Sequence, residues 1–505
     1  MKIAQLQLAS DHTWHQVFTT LDREGQALNI QIRRMIVQAV ETGLLPVNVR
    51  LPSSRELALR LGVGRNTVTA AYQQLIDEGV LASRERAGIF VRAVAKPSVA
   101  ATKARPSSDW SARYAIRPSR LPQISKPRDW RSYPYPFLSG QYDPGLFPTN
   151  NWREAVRATS SVQEIQVWAA DMIDDDDPDL IEQLRIQVLP RRGIFAQPGE
   201  VILTLGSQQA LSMLVQLFVG RDTPVGLEDP GYPDLRNMVR LATRRPVFLP
   251  ADRDGLLPGD EFARCELAFV TAGHQCPTTG VMPLERRLAL VEAAARNDVL
   301  LVEDDYDADL SVEADSDIPA LKSLDTADRV IYVGSFSKVL APGLRVGYVV
   351  APKPVVDELR VLRRLMLRHP PTNNQRSLAT FIGLGHYRLH LARAGAAILE
   401  RASLIARLLP ETMPSCRFER GEGATSFWIE GPPGFDARAM AEHARKQGIL
   451  VEAGDIFFSD PTRGARFFRI GFSSIATHRI EAGIVKLGSV VEEHCRRALA
   501  FADPV

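Results

Sequence analysis

Four short β-prone runs, VILTL (201–205), LAFVTA (267–272), DVLLVE (298–303) and RVIYVG (329–334), alternate with stretches of helical periodicity, and this alternation constrains the fold more than any other feature. Strands separated by helices pair in parallel, so the chain from about Tyr135 onward is expected to form an α/β domain with a large, doubly wound, mostly parallel sheet. In open sheets of this kind ligands bind beyond the carboxyl ends of the strands. The polar residues that follow each run are therefore where a site is to be sought.

The first part of the chain follows a different pattern. Ile30, Ile32, Ile36, Val37 and Val40 mark one face of a helix from Leu28 to about Val40, ended near Gly43. Ser53 and Glu56 have capping-box spacing ahead of a second helix containing Leu57, Leu59 and Leu61, with Gly62 as its stop. Val63 and Gly64 alone separate it from a third helix over 65–78, with Val68, Tyr72 and Leu75 at i, i+4 and i+7 and Arg65, Asn66, Thr69 and Gln73 on its outer face. The runs VLAS and GIFV then flank a tight turn at 84–88. Two helices, a short turn, a third helix and a hairpin make a winged helix-turn-helix, expected over residues 13–93.

Residues 94–134 are rich in Pro, Ser, Ala and basic side chains and read as an extended, mobile linker. Charge divides along the same line. Residues 1–95 hold 11 Lys and Arg against 8 Asp and Glu, and 96–132 hold 9 against 2, so the first 132 residues carry +10 and, with +2 overall, the other 373 carry −8. A basic front on an acidic body points to a polyanion partner for the front. At 505 residues, 45% hydrophobic and 24% charged, the composition is that of a soluble protein of more than one domain, with no run of about 20 apolar residues for a membrane span. The start, MKIAQLQLASDHTW, has no secretion signal, so a cytoplasmic location is expected. Cys265, Cys276, Cys416 and Cys495 are far apart in sequence and form no CxxC pair, which argues for reduced structural thiols and against a metal site or disulfide framework. The acid-rich run DDDDPD (174–179) reads as a solvated loop.

Chemistry-bearing residues follow the strands. SFSKVLAPGLRVGY sets Lys338 in a turn with Ser335, Ser337 and Arg345; a lysine there can form a Schiff base with an aldehyde cofactor while hydroxyls and a guanidinium hold a phosphate, although a surface lysine is the simpler reading of that turn alone. Asp304 and Tyr306, two apart in extended chain, can address one ligand, unless the acidic segment is a loop or a cation site. Gly206, Ser207 and Gln208 open an apolar helix whose first amides suit an anion, or serve only as its cap. Tyr232, in EDPGYP, can lie over a flat ring or pack within its turn.

In this order these segments resemble the fold type I aminotransferase family over residues 135–495. The resemblance implies a smaller C-terminal α/β subdomain and a pyridoxal 5′-phosphate cofactor carried as an aldimine on Lys338. It makes Asp304 the partner of the pyridine nitrogen, Tyr306 that of the phenolate oxygen and Tyr232 the stacking ring, with Ser207, Gln208, Ser335, Ser337 and Arg345 holding the phosphate. Arg469, in RFFRIGFSS, would hold the acidic group of a bound effector. Where aminotransferases have an Asn-Pro turn this chain reads HQCPTTG (274–280), and the Asn role passes to neither Gln275 nor Cys276. That turn with EDPGYP and GSQQA resembles the MocR/GabR-type subgroup, whose members carry a GntR-type winged helix in front. LPSSRELALRLGVGRNTVTAAYQQLIDEGVLASRERAGIFV is similar to the GntR-type signature, with Gly64 where Ser or Thr is more usual. By that similarity Arg55 and Arg65 contact phosphate or guanine, Thr67 and Thr69 the groove, and Gly88 the wing tip in the minor groove.

The resemblance implies a DNA-binding transcriptional regulator, not an enzyme by role, in which an amino-compound effector exchanges with Lys338 and alters operator binding. A transaminase half-reaction and the alternative of an aminotransferase with an accessory DNA-binding domain stay open. A head-to-tail homodimer with swapped DNA-binding domains is expected. Arg469 favours an amine bearing a carboxylate or sulfonate, which leaves γ-aminobutyrate, taurine, an ectoine derivative and D-amino acids in play.

Overall fold

The computed structural model describes residues 14, 17, 18, 21–23, 26–85, 87–92, 109–307 and 318–502. Residues 1–13, Arg86 of the hairpin turn and 93–108 of the expected linker lie outside the described residues. Two compact units divide the chain between Ile116 and Arg117.

In the first unit α1 (Leu28–Glu41), α2 (Ser54–Leu61) and α3 (Arg65–Asp77) precede a hairpin of β1 (Leu81–Arg84) and β2 (Gly88–Val91). Ile32, Ile36, Leu57, Val68, Tyr72, Leu75 and Leu81 meet in one buried cluster. The Ser53 hydroxyl accepts from the Glu56 amide at 3.2 Å, and Gly62 closes α2 with φ of 63°. Of the apolar set expected on α2, Leu57 is in the core but Leu59 is 86% exposed. Residues two apart lie about 200° apart around a helix, so both cannot face inward. Tyr72 donates its hydroxyl to the Pro52 carbonyl at 2.9 Å, fixing α3 against the start of α2.

The second unit is built on an eight-stranded sheet of β3 (Val201–Thr204), β4 (Val225–Asp229), β5 (Pro246–Asp252), β6 (Gly255–Leu256), β7 (Leu267–Val270), β8 (Leu300–Asp305), β9 (Val330–Ser335) and β10 (Gly347–Val350). Their order is β3-β10-β9-β8-β7-β4-β5-β6. The run from β9 to β5 is parallel, β10 opposes both its neighbours and β6 folds back on β5. This is the α/β architecture expected from the alternating runs. A smaller antiparallel sheet, β11 (Arg417–Glu419), β12 (Ser426–Glu430), β13 (Glu452–Ala453) and β14 (Phe467–Gly471), runs in the order β11-β12-β14-β13. It shares a core with the long helices His386–Thr412 and Thr477–Ala502, through Ile405, Leu409, Phe427, Phe468 and Leu487. Cys416 and Cys495, remote in sequence, bring their sulfurs to 3.8 Å in that core as free thiols. Among the described residues no helix is long and apolar enough to cross a membrane.

Two expectations are corrected. The second unit begins at Arg117 rather than at 135, because part of the stretch read as linker is bonded to the body. Asn237 Nδ2 donates to the Pro122 carbonyl at 2.7 Å, and Lys126 reaches the Ser139 carbonyl and Glu452. Pro and basic residues describe a chain without regular structure, which need not be a chain without contacts. The run DDDDPD is also not a solvated loop. Asp177 caps the helix Pro178–Gln183, accepting from the Leu180 amide at 3.0 Å. Asp176 is buried, with Arg363 Nη1 2.5 Å from Oδ1 and Arg360 Nη1 3.3 Å from Oδ2.

That Asp176 cluster closes an edge. β3 is an outer strand, and the backbone groups it does not share with β10 need partners. The Leu203 amide donates to Asp176 Oδ2 at 3.2 Å, its carbonyl accepts from Arg363 Nη1 at 2.7 Å, and the Val201 carbonyl accepts from Arg360 Nη2 at 3.2 Å. Asp176→Ala removes the anion and leaves Arg363 buried and unpaired. It is expected to destabilise the second unit by about 3–5 kcal/mol, read as a lowered urea midpoint in the full-length protein. An unchanged midpoint would mean that the pair does not hold this edge.

Candidate functional site

Five strand ends deliver side chains to one cavity of about 330 Å³. Ser207 and Gln208 follow β3, Tyr232 follows β4, Thr271 and Cys276 follow β7, Asp304 and Tyr306 end β8, and Ser335, Ser337 and Lys338 end β9. Arg345 comes from the turn before β10 and Arg469 from β14. All ten body residues singled out from the sequence line this space.

Strand alternation explains why Asp304 is there and its acidic neighbours are not. Glu303 accepts the amides of Leu321 at 2.9 Å and Lys322 at 3.1 Å, and Asp305 Oδ2 receives Arg192 Nε at 2.7 Å and the Tyr332 hydroxyl at 2.8 Å. Asp304, between them, is buried in the cavity wall with Oδ1 lacking any hydrogen-bond partner. Burial pushes its carboxyl up to about 7, with Asp305, Asp307 and Glu228 adding in the same direction. Behind it, burial raises Glu228 to about 7 as well, against the hydrogen bonds it accepts from Thr271.

Lys338 Nζ lies 5.3 Å from the centroid of the Tyr306 ring. Burial lowers the amine to about 8, Lys126 and Arg469 reinforcing that shift and Asp307 opposing it. Gly140 is needed beside it: φ is +74°, and a Cβ there would stand 3.1 Å from Lys338 Nζ. An anion cup lies where Gly206, at φ +83°, caps the helix Ser207–Phe218 without a side-chain bond. A Cβ on Gly206 would come within 3.2 Å of Arg345 Nη2 and 3.3 Å of Ser337 Oγ. Ser337 Oγ is buried without a partner, and Ser335 Oγ accepts the Ser337 amide at 3.2 Å. Tyr232, expected only as a stacking ring, also ties the wall together, its hydroxyl 2.7 Å from Gln208 Oε1 and 3.2 Å from Asp234 Oδ2.

The turn HQCPTTG now divides by residue. Gln275 turns away, donating to the Pro230 carbonyl at 2.7 Å and accepting from Thr278 Oγ1 at 2.7 Å, while Cys276 lines the cavity with its thiol pushed up by burial to about 11. His274 lies 2.7 Å from both Asp307 Oδ1 and the Glu422 carbonyl. Arg469 is already paired: its Nε and Nη2 are both 2.8 Å from Glu452 Oε2, and its guanidinium lies 4.6 Å from the Phe457 centroid. Sequence reasoning missed Lys126, Ile124, Gly140 and Asp234 in the wall. The first two sit in a stretch whose composition masks them, and Asp234, two residues after Tyr232, could have been found from its place in a helix's first turn.

In the first unit Arg55, Arg65 and Thr69 are exposed and Thr67 is half-buried. Arg65, the first residue of α3, has Nε 3.5 Å from Ser54 Oγ, which brings it to the first turn of α2 where Arg55 stands. Thr69 Oγ1 donates to the Arg65 carbonyl at 3.0 Å. Gly88 opens β2 opposite Arg84, with φ of +109°.

Residues 28–91 match the bacterial regulatory proteins of the gntR family, and residues 143–487 match aminotransferase class I and II. The chain is 41% identical to the HTH-type transcriptional regulator TauR of Rhodobacter capsulatus, over 91% of this chain and 96% of that protein. It is 28% identical to the rhizopine catabolism regulatory protein MocR of Rhizobium meliloti, described as probable, over 93% and 95%. Among solved structures, the α-aminoadipate aminotransferase LysN of Thermus thermophilus, crystallised with N-(5′-phosphopyridoxyl)-L-leucine, superposes with a TM-score of 0.67 at 27% identity, covering 78% of this chain and 99% of that one. With a gntR-type reader, an aminotransferase-class body and likeness to such regulators along nearly its whole length, the chain belongs to the MocR-type group of GntR-family transcriptional regulators.

Proposed function

We propose that the cavity holds pyridoxal 5′-phosphate on Lys338 and that an amino-compound effector, by competing with Lys338 for it, sets how the protein binds its operator. The observation that carries this is a matched set of unpartnered polar atoms: Asp304 Oδ1 and Ser337 Oγ are buried without partners, and Arg345 stands over Gly206. A buried polar group left unpaired is costly, so such atoms mark where a ligand belongs. A protonated ring nitrogen answers Asp304, and a phosphate answers the amides of Ser207 and Gln208, the hydroxyls of Ser335 and Ser337, and Arg345. When bound, this cofactor supplies an aldehyde that condenses reversibly with primary amines and a ring that draws electrons when its nitrogen is protonated.

The chain's own residues do the rest. Lys338, with its amine lowered to about 8, holds more of the free base near neutral pH than an ordinary lysine, the form able to attack a carbonyl. Tyr306 presents a hydroxyl to the ring oxygen and Tyr232 a ring face to the cofactor. Arg469, paired with Glu452, lines the part of the wall that the effector's acidic group would face. Arg55, Arg65, Thr67, Thr69 and Gly88 form the operator surface, with the reader over 13–93, the effector domain to 495 and the connecting stretch narrowed to 94–116. A homodimer in which each reader serves its partner's body would place two readers on a two-fold operator.

The completeness of the site favours a second reading, an aminotransferase with an accessory DNA-binding domain. Steady-state formation of keto acid from common amino acids separates the two: efficient multiple turnover overturns a purely regulatory role, and at most a single half-reaction is expected. Lys338→Ala is expected to lose the visible absorption of the lysine-held cofactor in the absence of added amine while keeping most of its DNA affinity; an unchanged band would remove Lys338 from the site. Arg65→Ala should weaken operator binding and reduce the salt dependence of log K by about 0.9 if one phosphate contact is lost. Unchanged affinity would take Arg65 off the operator surface.

A further inference from the structure

The positive charge available to an acidic effector is not where the family resemblance puts it. Arg469 has two nitrogens on one oxygen of Glu452, so its charge is already answered. The other oxygen, Glu452 Oε1, is buried and makes no hydrogen bond, with Lys126 Nζ standing 3.5 Å away. Two cations and one anion therefore share this part of the cavity wall, and one positive charge is left over. It sits beside the amine site. A Cβ built on Gly140 would lie 3.1 Å from Lys338 Nζ and 3.5 Å from Lys126 Nζ, so the two amines are no farther apart than those distances together.

Lys126 also differs from the rest of the wall in where it comes from. It is the tenth residue of the second unit, in the stretch that follows the reader in sequence. Lys126 itself donates to the Ser139 carbonyl, and its neighbours are held by Asn237 on the Pro122 carbonyl and by the packing of Ile124 beside Tyr232, Tyr306 and Trp428. The contact with Glu452, too long for a strong charge-assisted hydrogen bond, is one that an incoming anion can replace.

We propose that Lys126 is the specificity-determining residue for the effector: its ammonium receives the carboxylate or sulfonate of a short amino acid whose amine reaches Lys338, and the exchange of Glu452 for that group changes how residues 117–134 are anchored. This rests on the reading that the cavity holds the cofactor and admits amines at Lys338. The electrostatics agree, since Lys126 and Arg469 both depress the Lys338 amine and Glu452 opposes them. A ligand that takes Lys126 from Glu452 has different affinity for the two arrangements of this segment, which is the requirement for coupling.

The test uses the full-length protein loaded with pyridoxal 5′-phosphate and three probes of similar size: β-alanine, 3-aminopropanesulfonate and propylamine. The visible absorption of the bound cofactor reports occupancy, and hydrogen exchange of the peptide covering 117–134 reports anchorage. The wild type is expected to favour the acid-bearing probes over propylamine by at least about tenfold, and Lys126→Ala to bring that ratio close to one. Lys126→Arg should keep most of the preference, and Glu452→Gln, which frees both cations, should increase it. Exchange in 117–134 should change with the acid-bearing probes and not with propylamine. An undiminished preference in Lys126→Ala, or no preference in the wild type, overturns the specificity role. An exchange response equal for propylamine overturns the coupling. If no amine alters the wild-type absorption, the cofactor reading fails first and this inference with it.

Discussion

Asp304 Oδ1 is an acceptor with no donor, buried near the middle of an eight-stranded sheet, and the site depends on its being held there. An unpaired buried carboxylate costs several kcal/mol or takes up a proton. The sheet keeps it in place through the same strand: Glu303 and Asp305, facing the other way, are bonded to backbone amides, Arg192 and Tyr332. Three consecutive acids on one strand thus serve two purposes, and the pleat sorts them. The outward pair fixes the strand end, which fixes the one carboxylate left for a ligand.

The fold was legible because apolar runs of strand length recur between helices, and each of the four runs became a strand of the large sheet. The lining of the cavity was legible from the order of the segments: each polar strand end taken alone had a structural alternative, and together they resembled one family. Local composition misled where a partner came from far away. The acids at 174–179 look self-repelling until Arg360, Arg363 and Arg376, nearly two hundred residues on, are seen to take them up. Leu59 looked like core by residue type, but its angle on α2 turns it to solvent. Arg469 lines the cavity, but its partner was not legible, since nothing local to RFFRIGFSS announces Glu452 on the neighbouring strand.

One helix start in each unit has the same local build. α3 begins on Gly64 and the helix Ser207–Phe218 on Gly206, and neither has a side-chain cap. A Ser or Asp at either position would satisfy first-turn amides internally. With glycine those donors stay open, and an arginine stands beside each: Arg65 on α3 and Arg345 over Gly206.

A regulator differs from an enzyme of the same fold in what must change when the ligand binds. Catalysis rewards a wall that holds still, whereas sensing requires that some contact exist in one state and not in the other. Most of this wall is built to hold still: Asp304 is locked by its strand, Tyr232 by Gln208 and Asp234, Gln275 by the Pro230 carbonyl. Lys126 differs: it is a cation bonded to the Ser139 carbonyl whose ionic contact with Glu452 is 3.5 Å, contiguous in sequence with the stretch leading back to the reader. A body that had only the rigid residues could bind the same amine and would have no means of reporting it along the chain.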